Sequence, residues 1–184
     1  MARNLFPMVM KTTALLTGIA TAALTVVHHF FPETWLLSTA ISVGTIFYHF
    51  AMRLAVGAIV PLFTKCVNPS HPWFRPQHFE APLYKMLKLR RWKGKLPTYD
   101  PSQFDLEKNS LAQVVRNMCN AELVHEVILF LSFIPLFFAI PFGDFPVFFI
   151  TSVCAALYDG IFVMAQRANR PRLMRILKKK EARP

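Results

Sequence analysis

The sequence predicts an all-α integral membrane protein, and three observations predict it. Hydrophobic residues make up 54% of the 184 positions, 18 of them Phe, yet the formal charge is +11. The two kinds of residue are segregated: four apolar stretches hold nearly all the hydrophobicity, and the segments between them nearly all the charge. Each stretch approaches or exceeds the roughly 20 residues a helix needs to cross hydrocarbon. Such a pattern excludes an ordinary water-soluble domain.

The first stretch runs from about Ala14 to Phe31 and the second, after Pro32-Glu33-Thr34, from Trp35 to Phe63. The third covers Ala121 to Ile140 and the fourth Phe145 to Ala165, joined by the tight link Pro141-Phe142-Gly143-Asp144. Two helical hairpins therefore flank a central segment, residues 64–120, and a basic tail follows at 166–184. There is no internal repeat or low-complexity tract, so residues 1–184 are read as a single membrane domain. A cleaved signal peptide is the rival reading of the first stretch, but its loss would leave an odd number of spans.

Lys and Arg set the orientation, because they stay on the cytoplasmic side of short loops. Thr64–Asn120 carries ten of them and the residues after Ala165 carry eight, whereas the two hairpin links carry none. Both termini and the central segment are accordingly expected in the cytoplasm. The same cations suit anionic phospholipid head groups, and in a membrane chain this accounts for the basicity without nucleic acid. Interfacial helices are expected at Pro82–Trp92 and in the tail beyond Pro171, whose ring disfavours an uninterrupted helix.

Cys66, Cys119 and Cys154 are far apart and form no Cys-x-x-Cys pair, so neither a disulfide framework nor a thiolate metal site is expected. A Gly-rich phosphate loop and a Ser-centred nucleophile elbow are also absent from the sequence. What stands out is the ionisable set inside the apolar stretches, since charge in a bilayer is costly and defaults to a functional reading. It comprises His49 and Arg53 in the second, Glu122, His125 and Glu126 in the third, and Asp159 in the fourth. Spacings of three and four put His49 with Arg53, and Glu122 with His125 and Glu126, on shared helix faces.

Trp92-Lys93 followed by Leu96-Pro97, then Glu122-x-x-His125, then Ala165-Gln166-Arg167-x-Asn169-Arg170-Pro171-Arg172-Leu173 resembles the glycosyl-4,4'-diaponeurosporenoate acyltransferase family. Tyr48-His49 and Arg53 add weaker support, and Ala168 stands where an aromatic residue is expected. The resemblance implies a bacterial cell-membrane enzyme that attaches a fatty acyl group to a sugar hydroxyl of a glycosylated carotenoid acid. Its partners would be a membrane glycolipid acceptor and an activated acyl donor such as acyl-CoA, a co-substrate, with no cofactor.

Acyl transfer to a hydroxyl needs a general base and a clamp for the donor's anionic carrier. His125 is the expected base and Glu122, one turn earlier, the carboxylate that orients it. Arg167, Arg170 and Arg172 suit phosphate contacts, and His49, Arg53, Trp92, Lys93, Gln166 and Asn169 complete the expected substrate contacts. Two alternatives stay open. Glu-x-x-His is also half of a di-iron carboxylate site, and the same polar set could serve only to pack helices in a non-catalytic lipid-binding or assembly subunit.

Overall fold

A computed structural model describes residues 5–64 and 67–182. Four of its helical stretches are long and apolar enough to cross a membrane: Phe6–Phe30, Thr34–Phe63, Leu111–Phe142 and Phe145–Glu181. Among the described residues there is no strand. The chain divides into two compact units, one of residues 1–58 and 127–158, the other of residues 59–126 and 159–184.

The first unit begins with helix α1, Phe6–Phe30, and most of α2, Thr34–Phe63. In α1 the hydroxyls of Thr17, Thr21 and Thr25 donate to the carbonyls of Thr13, Thr17 and Thr21 at 2.7, 2.7 and 2.8 Å. Each hydroxyl is thus satisfied within its own helix, which a hydrocarbon surrounding requires. The two helices approach closely where side chains vanish. A Cβ on Gly18 would meet the Phe47 ring at 2.9 Å, and one on Gly44 would meet Thr21 at 3.2 Å. Large side chains such as Leu15, Leu16, Ile19 and Phe30 are left exposed, as expected where lipid is the solvent.

The second unit takes the central segment. Helix α3, Glu80–Met86, and α4, Leu89–Trp92, replace the single helix expected over Pro82–Trp92. They are separated by Lys88, whose backbone is left-handed at φ 50°. Trp92 Nε1 donates to the Leu87 carbonyl at 2.9 Å, satisfying a group that the break leaves open. Farther on, Asp100 caps the Pro101–Phe104 turn, accepting from the Ser102 backbone N–H at 3.1 Å and, more closely, from Ser102 Oγ at 2.6 Å. The hydroxyl bond in the main holds its carboxyl below the usual carboxylate range.

Helix α5, Leu111–Leu131, starts ten residues before the expected span. Its first turns are amphipathic rather than apolar, burying Val114, Val115, Met118 and Cys119 at helical spacing, and Ser110 Oγ accepts the Gln113 N–H at 3.2 Å. A search for membrane-length apolar runs passes over such turns. The helix also ends early. Pro135 cannot donate to the Leu131 carbonyl, so a 3-10 turn, Ile134–Phe138, and the short α6, Ala139–Phe142, complete the stretch. Tyr48 of α2 donates its hydroxyl to that same Leu131 carbonyl at 2.8 Å, supplying the hydrogen bond that the proline removes.

Helix α7, Phe145–Glu181, runs through Pro171 without a break and corrects the separate tail helix expected there. Pro171 removes one rung of the ladder, the bond to the Arg167 carbonyl. The turn before it is anchored by Arg167 and Arg170, and good helix formers such as Leu173, Met174, Arg175 and Leu177 follow it.

Candidate functional site

The ionisable residues expected to matter divide between the units. His49 and Arg53 belong to the first. Arg53 donates to the carbonyls of His49 at 2.9 Å and Ala155 at 3.3 Å, and its guanidinium faces the Tyr158 ring at 5.9 Å. His49 is buried on α2 with its ring edge-on to Tyr48.

All the other expected residues lie in the second unit, where α5 presents Glu122, His125 and Glu126 and α7 presents Asp159, Gln166, Arg167, Asn169 and Arg170. Glu122 is fully buried. One of its carboxylate oxygens accepts from Arg167 Nη1 at 2.7 Å and the other from Arg170 Nη1. Arg167 also reaches Glu80 on α3 at 2.7 Å and lies 3.9 Å from Glu126. The two guanidiniums tie down three successive carbonyls of the turn after His71: Arg167 donates to those of Trp73 and Arg75, and Arg170 to that of Phe74. The Phe74 ring lies 4.8 Å from the Arg170 guanidinium. Trp73 Nε1 donates to Glu126 at 2.9 Å, and the Tyr84 hydroxyl donates to Glu80 at 3.0 Å. Burial, and after it the Glu80 carboxylate, pushes the Tyr84 phenol well above its usual range.

This geometry corrects two expectations. Glu122 does not orient His125; both its oxygens are taken by guanidiniums. Arg167 and Arg170 are not open phosphate clamps, since buried carboxylates and carbonyls occupy them. Arg167 and Arg170 stand three apart on α7, and nothing in the local pattern revealed that both are turned toward acids.

His125 has a different partner. Its Nδ1 lies 2.9 Å from Oδ1 of Asp159, and its ring stacks on Phe162 at a centroid distance of 4.6 Å and an interplanar angle of 11°. Asp159 is 1% exposed, whereas the imidazole side chain keeps 24% of its surface open. Nε2 makes no hydrogen bond to any of the described residues. The signal for Asp159 was present in the sequence as a lone acid inside an apolar span, a group that must find a partner. Thirty-four residues of separation hid which partner it finds.

Lys93 donates to Asn169 Oδ1. Partial burial, then the nearby cations of Arg90 and Arg172, hold its amino group below the usual lysine range. Trp92 acts through its Leu87 bond, Gln166 is half-buried on α7, and Arg172 is exposed. Among the described residues no three His, Cys, Asp or Glu side chains converge as metal ligands would, so the di-iron alternative finds no ligand set there.

Fold and site together define a multi-pass membrane protein whose second unit carries a buried set of paired charges and a histidine–carboxylate couple. A family model for glycosyl-4,4'-diaponeurosporenoate acyltransferase matches residues 70–179. The chain belongs to that family and is an acyltransferase of carotenoid glycolipid biosynthesis. The match contains every residue of the Glu122 and His125 sites and leaves out α1 and α2, with His49 and Arg53. No curated protein and no solved structure matches the chain.

Proposed function

We propose that the protein transfers a fatty acyl group from an activated donor, an acyl thioester, to a sugar hydroxyl of a glycosylated carotenoid acid, with His125 as general base and Asp159 as the carboxylate that positions it. The observation that carries this reading is the 2.9 Å contact between His125 Nδ1 and buried Asp159, with Nε2 left open. Asp159 accepts Nδ1–H and so holds the tautomer whose Nε2 lone pair can take a proton. As the acceptor oxygen bonds to the thioester carbonyl carbon, Nε2 takes the hydroxyl proton. The tetrahedral intermediate then expels the thiolate, which recovers that proton from Nε2, and imidazole is regenerated.

The family's activity supports the acceptor, and the geometry supports the base. Mass spectrometry of total lipid from cells carrying the wild-type gene, the His125→Ala gene or neither tests both. The acylated glycolipid should appear only with the wild type. Its full restoration by a well-folded His125→Ala protein refutes the base assignment.

We further propose that both termini and the central segment face the cytoplasm, on the strength of the Lys and Arg distribution. A cysteine at the turn where α6 ends and α7 begins should then react with an impermeant thiol reagent on intact cells. Phe142→Cys is the better position, because Asp144 sits at φ 49° and accepts from Ser38 at 3.1 Å. Labelling only after lysis reverses the orientation.

A further inference from the structure

Beside Arg170 lies a cleft of about 450 Å³ within the second unit. Its floor is apolar, made of Phe74, Pro171 and Met174, and its rim carries Arg75, Arg175 and Lys178. No acid lines it. The Arg170 charge is already met by Glu122 on the other side of its guanidinium. The three rim cations have no ion pair among the described residues, and all three are exposed. Pro171, Met174, Arg175 and Lys178 are spaced three, four and seven along α7, so they form one continuous stripe on that helix. The uninterrupted passage of α7 through Pro171 is what brings this stripe to the cleft.

Three uncompensated cations around an apolar floor fit a ligand that carries phosphate on an organic body. A guanidinium presents paired N–H donors to phosphate, and an ammonium adds a point charge. We propose that this cleft seats the phosphate groups of the acyl donor's carrier, the role that Arg167 and Arg170 are too occupied to fill. This inference rests on the acyltransferase reading and deepens it by naming the donor as phosphorylated. Two sources share that chemistry, a nucleotide thioester of the coenzyme A kind, which would be the donor, and a phospholipid, which is no thioester and would be a bound lipid only.

Full-length protein in nanodiscs distinguishes them. Coenzyme A should bind the wild type, more weakly as salt is raised. Arg175→Gln and Lys178→Gln should each raise its Kd by about tenfold, the weight of one hydrogen bond to a charged group, with the thermal melt unchanged. If instead coenzyme A does not bind, but phosphatidylglycerol retained through purification falls in both variants, the phosphate is a bound lipid's and not the donor's. The proposal is overturned if neither ligand responds to either substitution. Because binding is read without turnover, this failure is separate from that of the base assignment: His125→Ala should bind coenzyme A as the wild type does.

Discussion

Glu122 and His125 stand three residues apart on one face of α5, yet they meet opposite surroundings. Glu122 is fully buried and held by two guanidiniums, with the central segment tied to the same arginines through its carbonyls. His125 has one carboxylate on one nitrogen, and the other nitrogen is open. Saturation of every polar atom is the mark of a group that holds helices and a loop in place. A single unfilled position on an otherwise fixed ring is the mark of a group that can exchange a proton with something that arrives. Two residues that read as one catalytic pair in the sequence thus divide into an anchor and the base proposed above.

The largest effect tests the anchor. Arg170→Ala removes one of the two cations on Glu122 and the donor to the Phe74 carbonyl, leaving one carboxylate oxygen and a carbonyl without the partners they had. Breaking a buried pair in this way costs about 3–5 kcal/mol, a large part of a domain's stability. The variant should melt far lower or fail to accumulate, as followed by thermal denaturation in detergent. A normal melt combined with a raised donor KM would return Arg170 to the phosphate-clamp role and dissolve the distinction.

His125→Ala comes next. It should fold, because the ring is part-exposed and the only hydrogen-bond partner it abandons is Asp159. Transfer should fall by about 100-fold or more, the usual range for loss of a general base. Asp159→Asn should cost less than that and keep the fold, since the amide preserves the shape and one hydrogen bond but no longer fixes the imidazole tautomer or supports its cation. Its loss should appear in kcat with KM unchanged, measured at several pH values. Loss of fold in Asp159→Asn would make the pair an anchor like Glu122.

The fold class and the four spans were legible because membrane burial writes itself into composition over about 20 residues at a time. The ends of the elements were less so. Leu111–Asn120 is helical through amphipathic packing, a pattern that hydropathy alone passes over, while Pro135 ends a helix and Pro171 does not. That difference is tertiary: a proline in the sequence carries no sign of whether its neighbours will hold the helix together. At the site, the ionisable residues that pair were visible one by one. Their pairing was not, because Glu122 with Arg167 and Arg170, and His125 with Asp159, are contacts across 34 to 48 residues, and equal charges of either helix could have exchanged partners. Glu80 and the carbonyls of Trp73, Phe74 and Arg75 had no periodic signal at all.

The smallest effect sharpens the comparison from the side of pure structure. Tyr48 belongs to the weaker family resemblance and lies next to His49, so a catalytic role would be an easy inference from sequence. Its hydroxyl, however, donates to the Leu131 carbonyl, the group left open because residue 135 is proline. Tyr48→Phe removes that donor and nothing else, leaving one part-buried carbonyl unsatisfied. The cost should be about 0.5–1.5 kcal/mol, seen as a modest fall in the melting temperature. Acyl transfer per folded molecule should match the wild type. Replacing Pro135 with Ala in the same chain should recover part of the lost stability, because residue 135 then has an N–H to offer Leu131 and the tyrosine is no longer needed for it. If Tyr48→Phe instead lowers kcat at an unchanged melt, the hydroxyl takes part in the chemistry.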